Sequence, residues 1–202
     1  MAISGFWTLQ RTARLLPRRR RLAKPLPALL FFTDPVRTPD PEAAAARLSE
    51  GSAIVFRHFG SPDAEARARR LKAIAHGRGL KLLVGQDAEL ARRVGADGVH
   101  LPERLAHLAG PVKRAHPAWI VTSAAHSLAA ARNSRADAVV ISPAFASRSP
   151  SAGRALGPVR TARLVRAIGR PAYALGGIDN KTARRLLDAG LIGLAAVDAF
   201  RT

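Results

Sequence analysis

A pair of glycines near residue 176 is the first feature of this sequence that could do chemistry. Gly176 and Gly177 lie in the segment 174–180, where a short apolar run gives way to a helical pattern that begins near Asn180. Glycine lets a ligand approach the backbone closely, and the first N–H groups of a helix attract anions. The segment therefore predicts a phosphate site, with a tight strand-to-helix turn as the alternative interpretation.

His126 is the candidate acid–base residue. It follows an apolar run and precedes Ser127, and histidine as a residue type exchanges protons near neutral pH, which suits general acid–base catalysis. The alternative is a residue in the N-cap region of the next helix. His100 and His58 also lie at or near the ends of apolar runs, and we expect a structural role for the first and a rim position for the second.

A cationic, hydroxyl-rich segment covers residues 147–154. It contains Ser147, Ser149 and two arginines, and such a loop could close over a phosphate through charge-assisted hydrogen bonds. Arg57, at the end of another apolar run, is a further candidate ligand for an anion. The alternative for the loop is an ordinary solvated connection.

Several chemistries are excluded by composition and motif. The chain has no cysteine, which excludes disulfides, thiolate metal sites and a cysteine nucleophile. Its sequence also has no His-x-x-x-His pattern, no Walker loop and no nucleophile elbow. No apolar run reaches the roughly 18 residues of a membrane-spanning helix, so we expect a soluble, cytoplasmic protein with no membrane partner.

The charge balance is strongly basic. There are 33 Lys and Arg against 14 Asp and Glu among 202 residues, a formal net charge of +19. Such a surplus attracts polyanions or phosphorylated metabolites. Because the arginines are scattered over most of the predicted helices and no aromatic platform lies between them, we expect a solvated surface rather than a nucleic-acid partner.

The chain divides at about residue 25. Residues 1–24 contain seven basic residues and no acidic one, and they predict a basic N-terminal tail or an extra helix around residues 6–16. From residue 28 short apolar runs alternate with helical segments, which is typical of parallel strands covered on both faces. Eight such units predict a single (β/α)8 TIM barrel over residues 25–202, with a short C-terminal end, and a doubly wound open sheet is the alternative.

The predicted strands are 28–33, 53–57, 80–84, 98–101, 119–123, 138–142, 172–175 and 194–197. The predicted helices are 41–48, 62–76, 87–94, 111–116, 128–134, 158–168 and 180–189.

Motifs in a fixed order resemble one family. Residues 31–34 (Phe-Phe-Thr-Asp) are similar to its first strand, residues 95–101 (Gly-Ala-Asp-Gly-Val-His-Leu) to its fourth, and residues 142–147, 176–178 and 190–197 to its sixth, seventh and eighth. This is the thiamine phosphate synthase/TenI family, and the resemblance covers roughly residues 28–200. It implies a barrel that acts on the thiazole phosphate of thiamine biosynthesis and holds the phosphate with Gly176, Gly177 and the end of strand eight at Val197.

The chain departs from the family where the family binds pyrophosphate. The family pattern Gln-x-Arg-x-Lys falls on Val55, Arg57 and Phe59, so only the arginine remains. In the loop 147–150, both hydroxyl residues remain but Pro150 replaces a lysine. Because a leaving pyrophosphate needs cations around it, we expect coupling to a pyrimidine pyrophosphate to be weak or absent.

The family's magnesium ligands are also altered. Its Asn-Asp pair after strand three falls on residues 85–86, with Asp87 one place further, and its later aspartate falls near Leu105, with Glu103 two places before. Asp87 and Glu103 are therefore weak metal candidates. We expect no cofactor, unless the protein is active as a synthase and uses Mg²⁺.

The preferred function is TenI-like tautomerase chemistry on a thiazole phosphate, in which His126 moves a proton between ring positions. The alternatives are a divergent Mg²⁺-dependent synthase, a barrel that binds a phosphorylated ligand without turnover, and a nucleic-acid binder that uses the basic tail. Asp198 stands where the family usually has a serine beside the phosphate, and we expect it to point outward or to pair with an arginine. The sequence leaves open whether the protein forms a homo-oligomer.

Overall fold

Eight parallel strands close into one barrel. The computed structural model describes residues 5–16, 22–58, 60–147 and 153–200. Each strand pairs with the next along the chain, and the last pairs with the first, Phe31 lying opposite Ala196. The predicted (β/α)8 fold is confirmed, and the open sheet is excluded. The strands are β1 Leu29–Phe32, β2 Ala53–Phe56, β3 Lys81–Gly85, β4 Gly98–Leu101, β5 Ile120–Ala125, β6 Ala138–Ile141, β7 Ala172–Ala174 and β8 Gly193–Ala196.

The helices lie outside the barrel and connect the strands. None among the described residues is long and apolar enough to cross a membrane. They are α1 Gly5–Leu15, α2 Pro41–Ala45, α3 Ala64–Gly77, α4 Ala88–Arg93, α5 Ala109–Ala115, α6 Leu128–Asn133, α7 Gly157–Ile168 and α8 Asn180–Arg184, with 3-10 helices at Glu103–Leu108 and Asp198–Phe200.

Some predicted helix limits were wrong. Helix α3 begins at Ala64 with Asp63 at its N-cap, rather than directly after Ser61, whose hydroxyl instead bonds the Asp63 carboxylate. Helix α8 ends at Arg184, and turns follow through residue 188.

Buried side chains form two apolar layers because successive residues of a strand point to opposite faces. In β1, Leu30 and Phe32 belong to one layer, together with Tyr173 of β7, while Leu29 and Phe31 pack in the other. The fully buried Tyr173 hydroxyl donates a hydrogen bond to the Pro27 carbonyl oxygen at 2.7 Å. This bond joins the start of β1 to β7 and leaves no polar atom of that ring unpaired.

Helix α1 covers the seam where β1 meets β8. Leu9, Ala13 and Leu16 are buried in the core, and α1 packs against β1, β8 and α8. In the described chain β8 is followed only by the short 3-10 helix, so α1 occupies the place that an eighth helix takes in a barrel. The part of residues 1–24 that lies in α1 therefore contributes to the core.

Truncating Leu9 should destabilise the whole barrel. Because its side chain is fully buried, we expect Leu9→Ala to lower the free energy of unfolding by about 2–5 kcal/mol. The matched control is Arg11→Ala, on the exposed face of the same helix, which should change stability by less than about 0.5 kcal/mol. Denaturant unfolding followed by circular dichroism measures both, and equal midpoints would contradict a core role for α1.

Candidate active site

A cavity of about 870 Å³ opens at the carboxyl ends of the strands. This is the end at which barrels place their chemistry. The predicted site residues that line it are Arg57, His126, Ser147, Gly176, Gly177 and Val197. Ser149 lies outside the described residues, as do Phe59 and Pro150. Asp87 and Glu103 are not among the lining residues.

His126 is held at the end of β5 by contacts on both its backbone and its ring. Its N–H donates to the Glu103 carboxylate, and its Nδ1 lies 3.3 Å from the Ser142 carbonyl oxygen and 3.4 Å from the Ser142 hydroxyl. A carbonyl oxygen only accepts, so this contact favours the tautomer in which Nδ1 carries the proton. Nε2 is then the nitrogen that can take a proton from a ligand. Ser127, not His126, caps α6 by accepting the Ala130 N–H at 3.1 Å.

His100 lies in the floor of the cavity and is chemically different. Its Nδ1 is 2.9 Å from the Thr122 hydroxyl, and its ring meets the Phe32 ring edge-on at 4.9 Å. Burial, together with the nearby charge of Arg57, lowers the pKa of His100 to about 3. The ring is therefore neutral at physiological pH and forms a wall that can accept or donate hydrogen bonds but does not exchange charge.

The glycine pair is required by the packing of two loops. Gly176 and Gly177 have φ of +97° and +60°, and a Cβ on Gly177 would lie 2.3 Å from the Ala146 carbonyl oxygen. The Phe145 N–H donates to the Gly176 carbonyl, which fastens the loop after β6 to the loop after β7. Within the described residues, nothing accepts a hydrogen bond from the N–H of either glycine. Both glycines line the cavity, so their N–H groups are candidate donors to a ligand there.

A cluster of four charged residues lies at the ends of β1, β2 and β8. Arg37 bonds Asp34 at 2.8 Å and lies 3.7 Å from Asp198, while Arg57 lies 3.5 Å from Asp34. Burial raises the pKa of Asp34, but the hydrogen bonds and charge of Arg37 outweigh it and hold that pKa at about 2. Asp198 is thus paired with an arginine, one of the two arrangements expected from the sequence.

Arg57 is positioned by backbone and ring contacts. Its Nε donates to the Thr33 carbonyl at 2.9 Å, and its guanidinium lies 5.2 Å from the centre of the Phe32 ring. Burial lowers the pKa of Arg57, and the Asp34 charge partly offsets this. The side chain stays cationic and faces the cavity from the end of β2.

Each of the two metal candidates accepts a hydrogen bond from a backbone N–H. Asp87 caps α4 by accepting the Leu90 N–H at 2.8 Å and lines a separate pocket of about 100 Å³ beside His58. The Glu103 carboxylate accepts the His126 N–H. No group of three or more metal-binding side chains occurs among the residues that the structure describes.

Two of these contacts escape analysis of the sequence. Arg37 lies three residues after Asp34 in the loop that follows β1, and this spacing alone does not indicate a partner at Asp198. Glu103 was considered only as a metal ligand, whereas its structural role is to hold the backbone of His126. The first contact depends on the pairing of β1 with β8, which closes the barrel, and the second on the pairing of β4 with β5.

The fold and cavity define a class of protein: a (β/α)8 barrel whose mouth combines free backbone donors, arginines and a histidine. The family model described as thiamine monophosphate synthase matches residues 29–200. The chain belongs to the thiamine phosphate synthase/TenI family, as its motifs predict.

Named relatives agree with this membership. The thiamine-phosphate synthase of Thiobacillus denitrificans is 31% identical over 179 residues, covering 81% of this chain and 82% of the relative. That of Chromobacterium violaceum is 31% identical over 162 residues, covering 76% and 77%. The solved thiamine phosphate pyrophosphorylase of Pyrococcus furiosus has the same fold, with a TM-score of 0.69, 23% identity and 86% of each chain covered.

His100 should remain neutral far below the pH at which histidine normally titrates. Because its pKa in the folded protein is about 3, its ring ¹⁵N shifts should not change between pH 7 and about 4.5, whereas in urea the same ring should titrate near 6.5. Over this window the unfolded chain binds the additional proton, so stability falls as pH falls, by at most about 1.4 kcal/mol per pH unit. His100→Gln should make that acid dependence shallower, and a midpoint near 6.5 in the folded protein would refute the assignment.

Proposed function

We propose that this protein acts on a thiazole phosphate as a TenI-like tautomerase, with His126 as the acid–base residue. The observation that carries the proposal is the Nδ1 contact of His126 with the Ser142 carbonyl, which leaves Nε2 as the proton-accepting nitrogen. This histidine lines the same cavity as Gly176 and Gly177. A base and a set of anion donors therefore share one site.

The cavity suits an aromatic ring that carries a phosphate. Its walls include the apolar side chains of Phe32, Phe145, Leu175, Ile178 and Val197. The free N–H groups of Gly176 and Gly177 can donate to phosphate oxygens, since backbone donors with positive φ form small anion-binding concavities. Ser147, from the loop after β6, lines the same space and is a further candidate ligand.

The reaction is a proton shift without loss or gain of atoms. Nε2 of His126 takes a proton from one ring position, and the electron pair of the broken bond enters the ring system. The imidazolium then returns the proton at another position and regenerates the neutral base. Such positioned proton transfer typically contributes a factor of about 10²–10⁴ to rate.

A second candidate is a divergent thiamine phosphate synthase. The observation that favours it is the name of the relatives in Thiobacillus denitrificans and Chromobacterium violaceum, both thiamine-phosphate synthases. Against it stand the contacts of Asp87 and Glu103, which cap α4 and hold the His126 N–H respectively, while neither residue lines the cavity. Because oxygen ligands must hold the Mg²⁺ in such chemistry, we rank this candidate below the tautomerase.

One assay separates the candidates. Purified protein is incubated with a carboxylated thiazole phosphate tautomer in EDTA, and separately with thiazole phosphate, a pyrimidine pyrophosphate and Mg²⁺. We expect the tautomer to be converted in EDTA and little thiamine phosphate to form with Mg²⁺. Efficient thiamine phosphate formation would favour the synthase, and binding without either product would favour a non-catalytic barrel.

Replacing His126 should abolish turnover while leaving binding intact. We expect His126→Gln to lower kcat by about 10²–10⁴, with little change in Kd for the thiazole phosphate, because the phosphate donors are elsewhere in the cavity. His107→Gln is the matched control, since His107 is exposed and does not line the cavity. Equal kcat in the two variants would remove His126 from the mechanism.

A further inference from the structure

Asp198 places a carboxylate at the end of the cavity where the proposed function puts the phosphate. Strands β7 and β8 are neighbours, with Ala174 opposite Leu194. Continuing that register brings Gly176 beside Ala196, and Asp198 follows two residues later on the same rim. Asp198 and both glycines line one cavity, so a bound phosphate would meet N–H donors from one strand end and a carboxylate from the next.

The carboxylate of Asp198 has no hydrogen-bond donor among the described residues. Its Oδ1 is enclosed without a partner, and its Oδ2 lies 3.7 Å from the Arg37 guanidinium, too far for a hydrogen bond. Arg37 makes its short contact, at 2.8 Å, with Asp34 instead. Because the side chain is 39% exposed while Oδ1 is enclosed, Oδ2 is the oxygen that a ligand in the cavity can reach and donate a hydrogen bond to.

The charges around Asp198 cancel. Arg37 and Arg57 face Asp34 and Asp198, which gives two positive and two negative groups. Of the other titratable groups on the cavity, His100 is neutral, Asp179 caps α8, and His126 lies at the end of β5. Among the described residues at this corner, positive side chains are therefore not in surplus, and a phosphate dianion would face the Asp198 carboxylate, whose like charge repels it.

We propose that this site takes its phosphate ester as the monoanion, with Asp198 accepting a hydrogen bond from the P–OH group while Gly176 and Gly177 donate to the other oxygens. The inference rests on the proposed function and names the ionic form of its substrate. Since the second pKa of a phosphate ester is near 6, a monoanion bound from solution at pH 7.5 takes up close to one proton. A sulfate ester of the same shape carries no such proton.

Calorimetry with three ligands tests the proposal: a thiazole phosphate ester, its sulfate ester and the free alcohol. In two buffers of different ionisation enthalpy at pH 7.5, the wild type should take up about one proton per phosphate ester bound. Its affinity should fall by up to about tenfold per pH unit above pH 6, and the sulfate ester should bind at least about tenfold more weakly. Asp198→Ser should take up almost no proton, lose most of the pH dependence and bind both esters similarly.

The matched control is Asp188→Ser, an exposed aspartate outside the cavity, which should behave as the wild type does. Any proton that His126 takes up on binding would be taken up equally by the wild type and both variants. The quantity that tests the proposal is therefore the difference in proton uptake between Asp198→Ser and the wild type. Wild-type binding of both esters with equal affinity and no proton uptake would overturn the monoanion inference and leave the phosphate site in place. The monoanion inference would also be overturned if the wild type bound the alcohol more tightly than the phosphate ester and only Asp198→Ser bound the phosphate ester. If none of the three ligands bound to the wild type or to either variant, the proposed function itself would be refuted.

Discussion

The pairing of β1 with β8 is the constraint on which the rest of this structure depends. It closes the barrel and brings the carboxyl ends of all eight strands to one rim. Asp34 and Arg37 after β1 can then meet Asp198 after β8, and Arg57 after β2 completes the cluster. Helix α1 buries Leu9 and Ala13 over this seam, so the N-terminal segment stabilises the contact from which the site is built.

The closed rim gives similar residue types different chemistry. His100 is buried in the floor beside Thr122 and Phe32, and it stays neutral. His126 is exposed to the cavity and oriented by a carbonyl, so the same imidazole group can serve as a base. The carboxylate of Glu103 acts through His126 by holding its backbone N–H. The chain thus keeps the barrel of its family, while the Glu103 carboxylate holds a backbone N–H.

Much of the fold could be predicted because the strands are short, apolar and separated by helical patterns. β4 was predicted with its observed limits, and the other strands to within two residues at either end. Helix ends were less predictable: α8 ends at Arg184, because the following turns bury Leu186 and Ala189 through hydrogen bonds to the residue three places before rather than four.

The candidate site was only partly predictable. Strand-end residues such as Arg57 and His126 are visible in the sequence because every strand of a barrel ends at the same rim. The contacts Arg37–Asp198 and Glu103–His126 join separate loops, and no local pattern indicates them. The sequence predicts a phosphate site or a tight turn at the glycine pair, and the structure adds a packing reason, because the neighbouring loop leaves no room for a Cβ at either position. The N–H groups that this packing leaves without a partner among the described residues are the ones that we propose to bind the phosphate.

The central claim, that His126 moves a proton on a thiazole ring without a metal, is tested most directly by hydrogen isotope exchange. The EDTA-treated protein is incubated in D₂O with the carboxylated thiazole phosphate, and deuterium on the ring is followed by NMR and mass spectrometry. We predict incorporation at a single ring position, at a rate that the wild type supports and His126→Gln does not. Equal incorporation by both proteins, or a wild type that binds the ligand but neither labels nor converts it, would contradict this account.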